Sequence, residues 1–69
     1  MKTTVGKFLE KAMLNHTISE EQIVAYYDSN NNLKWLGKAG YYPIYLGRVP
    51  FINAFLVGNE LRINEKKQV

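Results

Sequence analysis

Few residues in this chain could take part in covalent chemistry, and their spacing keeps them apart. His16 is the single histidine and lies in a polar connection, and there is no cysteine. A Cys-type zinc site and a disulfide are therefore both excluded, and His16 reads as a surface residue. The acids are Glu10, Glu20, Glu21, Asp28, Glu60 and Glu65. General acid–base work needs two groups with separated pKa values in one cleft. The neighbouring Glu20 and Glu21 read instead as charges at the start of a helix or the edge of a strand. Ser19 and Ser29 sit in turn positions with no base beside them, which argues against nucleophilic catalysis. Thr4-Val5-Gly6-Lys7 and Gly37-Lys38-Ala39-Gly40 lack the spacing and the Lys-Ser/Thr ending of a phosphate loop. No catalytic residue, metal ligand or cofactor is expected, and the chain is not expected to be an enzyme.

Binding chemistry has more material. Lys34, Lys38, Arg48, Arg62, Lys66 and Lys67 could form a basic rim, and Tyr26, Tyr41, Tyr42 and Tyr45 could offer aromatic faces. Aromatic faces beside cations suit single-stranded nucleic acid. Tyr and Arg are equally the residues enriched at protein interfaces. The formal net charge is only +3 and no aromatic-basic RNA-binding motif is present, so a protein partner is the first expectation and nucleic acid the alternative. The expected contact residues are Tyr41, Tyr42, Tyr45, Lys34, Lys38, Arg48 and Arg62.

These residues must be positioned by a small set of elements. Gln22 to Gly37 is built as two runs of β-branched and aromatic residues around Ser29-Asn30-Asn31-Asn32, the pattern of a β-hairpin. Asn tolerates positive φ better than other residues with a side chain, as a tight loop requires. A three-residue loop places Ile23, Ala25, Tyr27, Leu33 and Trp35 on one face, with Val24, Tyr26, Lys34, Leu36 and Lys38 on the other. Upstream, Val5, Phe8, Leu9, Ala12 and Met13 recur at i, i+3, i+4, i+7 and i+8, one stripe of an amphipathic helix. Thr3 or Thr4 suits its N-cap and Asn15 the left-handed position after its last turn, while Lys7, Glu10 and Lys11 occupy the wet side.

Ser19 and Gln22 spell a capping box, which taken alone would start a second helix. The strand preference of Ile23, Val24, Tyr26 and Tyr27 outweighs it. Gly37 to Gly40 reads as a flexible exit from the hairpin. Pro43 and Gly47 bracket a single helical turn, and Val49-Pro50 returns the backbone to extended form. Phe51 to Val57 and Glu60 to Ile63 read as a second hairpin about a Gly58-Asn59 turn with Gly first. Pairing Val57 with Glu60 aligns Ile52, Ala54, Leu56, Leu61 and Ile63 on one face, with Phe55 and Arg62 on the other.

The expected fold is α+β: an N-terminal helix packed on an antiparallel sheet of about four strands, made of two hairpins with a short helical turn between them. Residues 1–69 form one domain, with 64–69 a frayed tail. Trp35, Phe8 and Leu9 are expected to pack together between helix and hairpin. One helix cannot cover four strands, so apolar surface should remain and a homodimer is expected. There is no signal peptide and no apolar stretch long enough to span a bilayer, which makes the cytoplasm the expected location.

In this arrangement the chain resembles a group of small orphan proteins from bacteriophages and integrated mobile elements of low-GC Gram-positive bacteria. The matching features are Thr4-Val5 through Leu9, Tyr27-Asp28, Leu33 after the turn, Gly37, Gly40, Pro43 and Leu46 in the linker, and Leu61-Arg62-Ile63. The resemblance implies a setting, that of a mobile-element accessory protein, and no mechanism; inhibition of a host or defence protein is the activity expected by analogy with that setting. The resemblance assigns no functional residue.

Overall fold

The computed structural model describes residues 3–51 and 53–64. Helix α1 (Val5–Leu14) is followed by strands β1 (Ile23–Tyr27) and β2 (Leu33–Lys38), a 3-10 turn (Ala39–Tyr41), the single-turn helix α2 (Ile44–Gly47), and strands β3 (Asn53–Val57) and β4 (Glu60–Asn64). The strands form one sheet in the order β2-β1-β4-β3. This is an α+β arrangement. Both hairpins are antiparallel, but β1 and β4 meet in parallel, so the sheet is mixed.

The local signals of α1 act as their chemistry dictates. The Thr4 side chain accepts a 3.2 Å hydrogen bond from the Lys7 amide, satisfying one of the free donors at the helix start. At the other end the left-handed position falls one residue later than expected. Asn15 is the C-cap with φ −83°, and His16 takes φ 62°. The His16 amide then donates to the Met13 carbonyl and the Thr17 amide to that of Ala12, closing a Schellman motif around a residue that is not glycine. Ser19 caps only a turn, its hydroxyl accepting from the Glu21 amide, and β1 follows as a strand. Gln22, the other half of that apparent capping box, instead donates through Nε2 to the Asn59 carbonyl at 2.7 Å, tying the start of β1 to the β3–β4 turn.

The first hairpin has the expected three-residue loop. The Asp28 amide donates to the Asn32 carbonyl, and Asn31 adopts φ 67°. Beyond it the register changes: Tyr27 pairs with Leu33 but Tyr26 with Trp35, leaving Lys34 as a bulge. One extra residue inverts the facing of everything that follows. Trp35 therefore joins Val24 and Tyr26 on the helix side, not Ile23, Ala25 and Tyr27 as a regular ladder would have it. Leu36 and Lys38 move to the side of Ala25 and Ile23. The second hairpin follows its expected register, with Val57 opposite Glu60 and Gly58 at φ 63°. Ile52 falls outside the described residues. Asn64 is the last residue of β4, paired with Asn53 and Tyr27, and so belongs to the sheet rather than the tail; the rest of that tail lies outside the described residues.

Gly37 to Gly40 is not a flexible exit. Gly37 and Lys38 complete β2, Ala39 is fully buried, and the Ala39 and Gly40 amides donate to the Gln22 and Glu20 carbonyls. The core consists of Val5 and Leu9 from α1, Val24 and Tyr26 from β1, Leu61 and Ile63 from β4, with Ala39 and Leu46. Leu9 is buried as expected, while Phe8 and Trp35 are only half-buried at its margin. Phe8 stacks on Phe51 instead, with centroids 4.2 Å apart and rings 13° from parallel. At its N-terminal end α1 crosses α2 at a Gly6–Gly47 contact. A Cβ on Gly6 would lie 2.8 Å from the Gly47 carbonyl oxygen, so this approach requires glycine.

Candidate functional site

The pairing registers assign each strand residue to a face. Val24, Tyr26, Trp35, Ala54, Leu56, Leu61 and Ile63 point toward α1. The outer face carries Lys38, Ile23, Glu60 and Val57 in one row, then Leu36, Ala25, Arg62 and Phe55, then Leu33, Tyr27, Asn64 and Asn53. Ile23, Leu33, Leu36, Phe55 and Val57 are exposed there. The polar column along β4 divides them. Within it Arg62 Nε donates to Glu60 Oε1 at 2.7 Å, and the guanidinium lies 5.5 Å over the Tyr27 ring. The bond to Glu60 raises the Arg62 pKa above its ordinary value.

The expected contact residues do not converge. Lys38 is bound to Glu21 at 2.7 Å, and that hydrogen bond raises its pKa. Lys34, on the bulge, faces Asp28 at 3.8 Å. Asp28 accepts from the Asn30 and Asn32 amides at 2.9 Å each. The Asn32 bond is the leading reason its carboxyl titrates below the usual range. Arg48 is exposed at the end of α2. Tyr41 and Tyr45 are exposed with Ile44 on the connection between β2 and β3. Tyr42 is turned inward: its hydroxyl donates to Glu10 Oε2 at 2.6 Å, and its ring fills the space beside Gly47.

The apolar surface expected to remain beside a single helix forms a second candidate surface. On the α1 side of the sheet a trough of about 630 Å³ runs along the helix. Phe8 and Ala12 form its wall, Phe51, Leu56 and Leu61 its floor, and Ile18 closes one end, with Lys7 and Lys11 on the helix rim. Among the described residues no three of His, Cys, Asp and Glu gather where they could hold a metal, and no helix is long and apolar enough to cross a membrane.

Comparison with protein-family models, with curated proteins and with solved structures finds no match for this chain.

Proposed function

We propose that this chain is a non-enzymatic binding module that acts by protein–protein contact through the outer face of its sheet. The observation that carries this reading is the exposure of Ile23, Leu33, Leu36, Phe55 and Val57 on one face, set around an internally neutralised Glu60–Arg62 pair. Apolar side chains exposed on one sheet face, in two clusters either side of the β4 polar column, suit an interaction site. The electrostatics favour protein over nucleic acid. Lys34, Lys38 and Arg62 each face a carboxylate already, so a rim made of them offers a polyanion little uncompensated charge. A second copy of the chain would suit the same face, and inhibition of a host or defence protein is the activity that fits the mobile-element resemblance.

The test is capture from a host lysate by the tagged chain, with and without nuclease, alongside a Leu36→Lys/Phe55→Lys variant. Partners that survive nuclease and are lost with the variant support the reading. Loss of every partner on nuclease treatment replaces it with the nucleic-acid alternative. Sedimentation of the same two proteins reads self-association through this face.

A further inference from the structure

We propose that the trough between α1 and β3 receives an amphipathic α-helix of a partner protein, with acidic residues flanking its apolar stripe. The trough lies on the opposite side of the sheet from Ile23, Leu36 and Phe55, so this proposal stands or falls separately from the outer face.

The layer that α1 belongs to is incomplete. Four strands about 4.8 Å apart place the outer strand axes about 14 Å from one another, whereas a helix with its side chains is about 10 Å wide. Val5 and Leu9 pack with Val24, Tyr26, Leu61 and Ile63 of the two central strands, and on β3 Ala54 still packs against this core, which leaves the inward side of β3 uncovered at Leu56. Leu56 shows the result: it points to the helix side of the sheet, opposite the buried Leu61, and is 64% exposed. The wall at this point includes Ala12, whose small side chain lets a second helix come close. The trough is about half open to solvent, so a small molecule would be enclosed in it only in part.

The charge specifies the occupant. Lys7 and Lys11 lie one helical turn apart along the rim, about 6 Å in rise. Among the described residues no carboxylate lines the trough. Glu10, the single acid of α1, is held by Tyr42, and the salt bridges among the described residues engage Lys34, Lys38 and Arg62 but neither of these lysines. Acidic residues one turn apart on an incoming helix would meet both. A strand added to the free edge of β3 would lie in the plane of the sheet, while α1 rides a layer above it. Such a strand would leave the two lysines unmatched.

The probe is a synthetic peptide of about 16 residues, with leucines at i, i+3, i+4 and i+7 and glutamates on both flanks. It is titrated into the full chain and followed by amide chemical shifts. Three further peptides carry lysine flanks, the same composition scrambled, or a central proline. The expected result is saturable one-to-one binding of the glutamate peptide, with shifts along residues 3–15, Leu56 and Leu61. Lys7→Glu/Lys11→Glu should weaken it about ten-fold and make the lysine-flanked peptide the better ligand. Both positions are solvent-exposed, so the fold should persist, as unchanged shifts on the outer face would verify. Leu56→Ser, at another exposed position, should weaken the glutamate peptide about ten-fold while leaving it the better ligand of the two charged peptides. The proposal is overturned if the glutamate peptide does not saturate, if the double reversal leaves its affinity unchanged, or if the scrambled or proline-interrupted peptide binds as well.

Discussion

The Tyr42 hydroxyl donates to Glu10 Oε2 at 2.6 Å, joining the connection before α2 to the far side of α1 across 32 positions of sequence. The hydrogen bond to Glu10 is the main reason the Tyr42 phenol titrates above its ordinary value, with burial and the Glu10 charge adding to it. A pKa raised in the folded state gives a contribution that is complete below the unfolded value of about 10 and is lost as pH rises through the folded one. Tyr42→Phe should cost about 1 kcal/mol near neutral pH. It should also remove part of the decline in stability above about pH 10. Urea unfolding of both proteins at several pH values checks this. An identical alkaline decline in the two would show that the bond contributes nothing.

Asp28 works in the opposite pH direction. Its carboxyl titrates low, chiefly because of the Asn32 amide bond, so its contribution is present above the unfolded value of about 4 and lost as pH falls through the folded one. Asp28→Asn keeps an acceptor for the turn and removes the charge. Its acid unfolding should be shallower than that of the parent. Asp28→Ala removes the acceptor as well and should destabilise the hairpin at neutral pH, read by thermal melting.

His16 holds φ 62° with a side chain attached. His16→Gly retains the Schellman hydrogen bonds and relieves that conformation. It should stabilise the fold by about 1 kcal/mol. For a domain of this size that raises the melting temperature by about 4–8 °C. A lower melting temperature would mean that the imidazole contributes more than its backbone costs.

Trp35 lies over Gly37, two residues further along the same face of β2, where an added Cβ would lie 2.6 Å from Trp35 Cζ2. Gly37→Ala must therefore turn the indole out of its place at the core margin. The expected outcome is a red-shifted tryptophan emission with a loss of about 1–3 kcal/mol. Trp35→Ala, which leaves a gap at the same margin, should cost about 3 kcal/mol. Unshifted emission in Gly37→Ala would place the ring elsewhere.

What could be read from the sequence was local. The α1 stripe, the Thr4 cap, the loop of the first hairpin and the Gly58-Asn59 turn each depend on residues within a few positions of one another. They appear where the patterns put them. The parallel β1–β4 seam pairs residues 37 positions apart and has no local signature. Lys34 bulges with nothing in its neighbours to announce it, and that single residue moved Trp35 to the other face. The same limit hid where the remaining apolar surface would lie. Lys7 and Lys11 were recognisable as the wet side of a helix, but only the sheet order places β3 and its bare Leu56 beneath them. Tyr42 looked like an exposed anchor because its partner, Glu10, lies in a different element.

The position of β4 has a consequence for how the fold can be made. Among the described residues it is the last strand in chain order, yet it sits between β1 and β3. α1 and the first hairpin are built from contacts local in sequence, whereas the inner edge of β1 is covered by a strand 37 positions further along. Until residues 60–64 arrive, that edge is an open template carrying Val24 and Tyr26 on its apolar side. Docking of β4 is therefore the step that closes the sheet from the middle and takes this edge out of reach of a neighbouring chain.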